Sequence, residues 1–305
     1  IEWANGPVNS TWGSKRAAAG HPATFNLQYI GIGNEEKITP EFEQRFKLVH
    51  DAVKARYPEI TVIGTSGPFH SGEDFDKGWA FAKNQQVKVV DEHYYVQPEW
   101  FISNQYRYDN YPRSSGNVYL GEYASWGNQL KNALAEAAFM TGLERNGDVV
   151  QLASYAPLFA KKNNTQWKTD MIFFDNTRYY LTPNYHVQKL FSVNKGDRYL
   201  NNIIQKEDRD TSIAASATGD SRTGDIILKL VNTGKDKKTI ATDLTGYKFS
   251  SDGVRILLSG TADQQNSFSD PDAVKPDQGP IAIKKKMNIE LPPMSLMVIR
   301  IKTLK

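Results

Sequence analysis

The chain of 305 residues contains no cysteine, so disulfides and thiolate-held metals are excluded at the outset. It also lacks any apolar run approaching the roughly 20 residues of a membrane-spanning helix, and no membrane association is expected. Charge of one sign is scarce. The formal net charge is +3, and lysines cluster only at Lys235-Asp-Lys-Lys238 and Lys284-Lys-Lys286. Both clusters read as solvated strand or turn residues, so no nucleic-acid partner is expected. No signal-peptide pattern opens the chain; Ile1-Glu-Trp-Ala-Asn5 reads as the tail of a strand already under way. What remains is globular in character. Hydrophobic residues make up 39% and charged ones 23%, which favours a packed core over disorder, and the length suits one large domain or two ordinary ones.

Two short stretches organise the rest: Tyr29-Ile-Gly-Ile-Gly-Asn-Glu35 and Val118-Tyr-Leu-Gly-Glu122. Each is a β-rich run that meets a glycine and then a carboxylate. A pair of carboxylates at the C-terminal ends of buried strands is what cleavage of a glycosidic bond requires, one as acid and one as nucleophile or base. Between them the chain alternates. Thr39-Pro40-Glu41 starts a helix, in which Phe42, Phe46, Val49 and Val53 recur at helical spacing until Pro58. Residues 61–64 read as a strand, 75–84 as a helix and 87–95 as a strand. The Glu122 strand follows, then a long helix capped by Asn128, a strand over 149–157 and a helix over 184–191. This is the pattern of a parallel sheet with crossover helices, and in an eight-stranded barrel the active site lies at the C-terminal mouth.

His93 closes the strand between the two glutamate strands, flanked by Tyr94 and Tyr95. Asp91, Glu92 and His93 also invite a metal reading. Alternate strand residues face opposite ways, however, so only Asp91 and His93 converge, too few ligands for a metal. Neither metal nor cofactor is expected. Glu36 competes with Glu35 as acid, but its side chain should point the other way and serve a supporting role.

The stretches YIGIGNEE, DEHYYVQPEWF, YLGEYASW, NALAEAAFMTGLERNGDVVQLASYAPLFA and NNTQW resemble the family 51 α-L-arabinofuranosidases, retaining glycosidases of clan A. The resemblance runs from residue 1 into the C-terminal region and is densest over residues 28–197. It implies Glu35 as general acid/base, Glu122 as nucleophile and Asn34 as a sugar ligand. It also implies that His93 and Tyr95, matching the clan's His-x-Tyr, line the site and orient the nucleophile. Trp167 would be a sugar platform or pocket wall, and Trp12 a loop residue near substrate. The family's arabinose-binding glutamine has no clear equivalent after Trp167, where Lys168-Thr169-Asp170 stand.

The fold implied is a TIM (β/α)8-type barrel, here strands four to eight over residues 1–194, followed by an antiparallel β-sandwich over 195–305. Regularly punctuated β-like runs at 213–217, 225–231, 237–244, 253–258, 282–289 and 294–301 support the second part. Because a five-stranded remainder would expose two edges, a companion polypeptide or preceding segment is expected to complete the barrel; a homo-oligomer is also compatible. The expected substrate is a carbohydrate bearing terminal α-L-arabinofuranosyl groups, and the expected location is periplasmic or extracellular. The competing readings are another clan A glycosidase, such as an endoglucanase or xylosidase, and a non-catalytic barrel fragment.

Overall fold

The structure is a computed structural model that describes residues 1–114, 116–205 and 210–304. It divides into two units, Ile1–His93 with Pro112–Leu120, and Tyr94–Tyr111 with the chain from Gly121 onward.

The first unit opens with two short helices, α1 (Glu2–Asn5) and α2 (Thr11–Ala18). Neither was expected: Ile1-Glu-Trp-Ala-Asn5 reads as the tail of a strand and Trp12 as a loop residue. The cause is long-range. The Arg16 side chain is fully buried and donates to five backbone carbonyls: Trp3, Ala4 and Gly6 from Nη1, His21 from Nε and Pro22 from Nη2. Asn5 imitates a strand partner, exchanging two 2.7 Å hydrogen bonds with the backbone of Leu27. Local propensity carries no trace of either interaction.

Then come β1 (Tyr29–Gly31), α3 (Pro40–Arg56), β2 (Thr61–Thr65), α4 (Glu73–Asn84) and the start of β3 (Val89–Val96). α3 begins as its sequence dictates. The Thr39 hydroxyl accepts from the Phe42 N–H, Pro40 occupies the first turn, and Glu41 and Glu43 face the positive helix end. β1 pairs parallel with β2, and β2 with β3. Their apolar residues pack with Phe46 and Phe81, whose rings meet edge-on at 5.2 Å, in one core cluster. Val49 does not join that core; it is exposed.

The second unit takes the end of β3, α5 (Pro98–Ser103), the end of β4 (Asn117–Ser125), α6 (Leu130–Arg145) and β5 (Val150–Ala153). The hydrogen-bonded strand order is β1-β2-β3-β4-β5. α6 is buried from Leu130 to Leu143 on nearly every face. Its cap is Gln129, in a reciprocal pair with Asn132. Asn128, expected there, instead bonds the Asp170 carbonyl and Asn184. A small sheet follows, β6 (Phe159–Lys161), β7 (Ile172–Phe174) and β8 (Tyr179–Leu181), and then α7 (Pro183–Val193).

The remaining strands are β9 (Arg198–Tyr199), β10 (Ile204–Gln205), β11 (Ile213–Gly219), β12 (Asp225–Asn232), β13 (Lys238–Asp243), β14 (Asp252–Ser259), β15 (Asp277–Ala282), β16 (Lys286–Leu291) and β17 (Ser295–Lys302). They form two antiparallel sheets, β15-β14-β17-β12-β11-β9 and β10-β13-β16. Alternating residues of both, among them Ile226, Leu228 and Leu230 from one and Ile240, Ile289 and Leu291 from the other, share one core. The run expected over 282–289 is two strands in different sheets, because the chain turns between Ala282 and Lys286.

The substitution Arg16→Met should strand the carbonyl partners of the guanidinium and cost about 3 kcal/mol. Arg16→Lys, which removes the planar fork while keeping the charge, should recover little of this. Limited proteolysis should then cut within residues 6–26; an uncut, equally heat-stable variant would refute the role given to Arg16.

Candidate active site

In the first unit the chain leaves β1 and turns at Gly33, whose φ of +92° is a left-handed conformation. A side chain there would also strike Thr65 at 2.9 Å, so glycine is required twice over. The following loop is pinned from both sides. The Thr65 hydroxyl donates to the Asn34 carbonyl, and the Asn34 N–H donates to Glu36 Oε2 at 2.6 Å. Glu36 thereby folds back on its own loop, while Glu35 reaches His93. His93 is 1% exposed and lies between two carboxylates, with Nδ1 2.7 Å from Glu35 Oε1 and Nε2 3.2 Å from Asp91 Oδ2. Glu92, on the other face of the strand, accepts from the Trp79 indole at 2.9 Å.

In the second unit Glu122 stands within β4, which runs three residues further than the sequence suggests. The Tyr95 hydroxyl donates to Glu122 Oε2 at 2.6 Å, a short charge-assisted bond that orients the carboxylate. Tyr95 touches Trp167, with ring centroids 5.0 Å apart, and Trp126, at 6.0 Å. The two indoles stack on each other at 5.2 Å and 10°. Both are partly exposed, so Glu122 has an aromatic wall with an open side. Such a wall suits the apolar face of a sugar, and a carboxylate held by a tyrosine beside it can act as a nucleophile.

Behind β4 lies a buried polar network. Tyr123 and Ser125 alternate away from Glu122. Tyr123 donates to Gln188 at 2.8 Å, and the Ser125 N–H donates to Glu136 Oε1 at 2.9 Å. Asn184 also donates to Glu136 Oε1, at 2.8 Å. Glu136 is completely buried, and burial pushes its carboxyl up to about 8, against the opposing pull of Ser125, Asn184 and Gln188. Burial likewise pushes up the Tyr123 and Tyr155 phenols, with the charge of Glu136 adding to both.

Of the residues selected from sequence, Glu35 and His93 meet in one unit, and Glu122, Tyr95 and Trp167 in the other. Asn34 lies beside Glu35, with its backbone fixed and the residue exposed. Trp12 sits on α2, half exposed, with Lys15 Nζ 4.1 Å above its ring and its N–H on Glu2; it is not among the residues bonded to Glu35. Trp126 and Glu136 were missed. Positions 122, 124 and 126 share a strand face, so Trp126 was within reach once β4 was carried to Ser125. Glu136 looks like one helical glutamate among alanines.

Residues 1–113 match the family model described as the α-L-arabinofuranosidase 1 domain, and residues 121–295 the one described as the α-L-arabinofuranosidase C-terminal domain. An extracellular exo-α-L-arabinofuranosidase of Streptomyces chartreusis is 53% identical over 198 residues, covering 65% of this chain and 24% of that protein. α-L-Arabinofuranosidase 2 of Arabidopsis thaliana is 33% identical over 306 residues, covering 97% of this chain and 44% of the other. An arabinose-bound GH51 α-L-arabinofuranosidase superimposes with a TM-score of 0.87 at 30% identity, over 100% of this chain and 50% of that one. The chain thus spans between 24% and 50% of the length of these relatives.

The buried Glu136 predicts a pH dependence of stability. Its folded-state value of about 8 lies above the ordinary 4.5, so folding favours the protonated form. That contribution is complete below about pH 4.5 and is lost as pH rises through about 8, on the order of a few kcal/mol. Denaturant midpoints measured from pH 5 to 8.5 should fall for the wild type and fall less for Glu136→Gln; parallel curves would show that Glu136 does not titrate in this window.

Proposed function

Because the chain belongs to the α-L-arabinofuranosidases of glycoside hydrolase family 51, we propose that it carries the acid/base and the nucleophile of a retaining glycosidase. Its substrates are saccharides with terminal α-L-arabinofuranosyl groups. The observation that carries this reading is a hydrogen-bonded carboxyl group in each unit: His93 bonds Glu35 in the first, and Tyr95 bonds Glu122 in the second. In a retaining enzyme the two carboxyl groups stand about 5–5.5 Å apart.

In the reaction Glu122, oriented by the Tyr95 hydroxyl, attacks the anomeric carbon. Glu35 gives its proton to the departing oxygen, and a covalent arabinosyl–Glu122 ester forms. Glu35 then takes a proton from water, the water oxygen attacks the same carbon, and Glu122 is released. His93 Nδ1, 2.7 Å from Glu35 Oε1, holds the acid/base carboxyl in place. Asn34 serves as a sugar ligand, and Trp126 and Trp167 form the wall against which the furanose or its neighbour rests.

The parallel strands β1–β5 correspond in this reading to barrel strands four to eight, residues 1–194 to the catalytic part and 195–305 to an accessory β-sandwich. β1 and β5 stand at the edges of their sheet, and further strands, from this protein or a companion, close the barrel. No described helix is long and apolar enough to cross a membrane, and the likeness to an extracellular enzyme supports a secreted role.

Glu122→Gln should lower turnover of nitrophenyl α-L-arabinofuranoside at least about 1,000-fold without altering the thermal melt. Glu35→Ala should cost about 100- to 10,000-fold, least with the best leaving groups. Hydrolysis followed by NMR should release the α-anomer first; first release of the β-anomer would sink the two-carboxylate retaining scheme. Faster turnover of the xyloside or glucoside would reassign the substrate.

Loss of the Tyr95 hydroxyl in Tyr95→Phe should lower kcat about 10- to 100-fold with little change in KM, since the bond acts on the nucleophile. An unchanged kcat would remove Tyr95 from that role.

A further inference from the structure

The place where β4 leaves the sheet is held far more tightly than a strand end needs. The Ser125 N–H goes to Glu136 and the Ser125 hydroxyl accepts from Asn132 at 2.8 Å. The Trp126 carbonyl accepts from Asn132 at 3.0 Å, and the Trp126 N–H donates to the Val96 carbonyl at 2.9 Å. Asn132 and Glu136 are one turn apart on α6, so a single helix face grips the strand exit. From Glu136 the network continues through Asn184, which accepts from Asn128 at 3.0 Å, to Asp170, whose carbonyl and N–H both bond Asn128. Gly127 N–H donates to Thr169 at 2.7 Å. The segments that carry Trp126 and Trp167 are therefore tied to one another directly, and through Asn128 and Asn184 both are linked to the Glu136 carboxyl that holds Ser125.

We propose that Glu136 is a positioning residue for the nucleophile side of the site: from the back of β4 its carboxyl fixes the Ser125–Trp126 exit, and so sets where Glu122 and the Trp126–Trp167 wall stand. This rests on Glu122 being the nucleophile. The hydrogen bonds to Oε1 come from neutral donors, the Ser125 N–H and the Asn184 amide, so neither brings a positive charge to offset an ionised carboxylate. Burial, which pushes this carboxyl to about 8, agrees. The titratable groups that feel it, Tyr123 from β4 and Tyr155 beyond β5, are pushed upward, and Asp170, beside Tyr155, is raised by its own burial. Ionisation of Glu136 in mildly alkaline solution would therefore loosen the strand exit.

The test compares Glu136→Gln with Glu136→Ala in the full chain. Gln keeps the accepting oxygen and is neutral at every pH; Ala removes the grip. At pH 6 kcat should fall about 30- to 100-fold in Glu136→Ala and recover to within about 3-fold of wild type in Glu136→Gln. The second arm needs no turnover. Tryptophan emission, assigned to Trp126 by its loss in Trp126→Phe, should shift in the wild type with a midpoint near pH 8 and stay flat in Glu136→Gln. An alanine variant as active as wild type, or an emission shift with the same midpoint in Glu136→Gln, overturns the proposal. Should the wild type itself fail to release arabinose, the functional reading fails, and the emission arm still decides the role of Glu136. Should Glu136→Ala not fold, Glu136→Gln and the emission arm decide alone.

Discussion

The two-residue period of β3 is the constraint on which both carboxylate contacts depend. His93 and Tyr95 fall on one side of the strand, His93 bonding Glu35 in the first unit and Tyr95 bonding Glu122 in the second. Glu92 and Tyr94 fall on the other, where Glu92 accepts from Trp79 and Tyr94 meets both Tyr108 and Arg107 at 2.9 Å. Glu92, Tyr94 and Tyr108 are buried, and these rear contacts resist any slip of the strand. A shift of one residue would turn both anchors into the core and bring Glu92 and Tyr94 to the front. The chemistry thus inherits its geometry from packing that never touches a substrate.

Three of the buried ionisable side chains are met in three different ways. Arg16 spends its donors on main-chain carbonyls. Lys229, on β12, pairs with Glu144 at the end of α6, with a 2.7 Å bond to the Asn194 carbonyl and the Phe191 ring beneath it. Glu136 accepts from the neutral donors Ser125 and Asn184, and burial pushes its carboxyl up to about 8. All three arrangements answer the high cost of an uncompensated ion away from water. The Lys229–Glu144 pair also ties α6 to the antiparallel sheet, which makes α6 the element that touches both the polar network behind β4 and the strands beyond residue 195.

Much of the fold is legible in the sequence because periodicity is a local signal. α3, α4, α6 and α7 appear within a few residues of where spacing and caps place them, and glycine before carboxylate marks Glu35 and Glu122. What escapes is whatever depends on partners far along the chain. α1 exists because Arg16 and Asn5 collect backbone groups up to 22 residues away. Asn128 has the chemistry of a helix cap, but its amide is claimed by Asp170 and Asn184. Trp126 was hidden by ending the strand at Glu122, a reasonable inference from Gly121 that the observed extent of β4 overrules. Glu136 has no sequence signature, because a protonated buried glutamate and a solvated one are spelled alike.

The Trp126–Trp167 stack has an optical consequence. Two nearly parallel indoles at 5.2 Å are close enough for their transition dipoles to mix, so they absorb as one coupled chromophore rather than two independent ones. The near-ultraviolet dichroism of the protein should be dominated by this pair, and anything that slides between the rings or tilts one of them rewrites the band shape. The wall beside Glu122 thereby carries its own reporter, with no label attached.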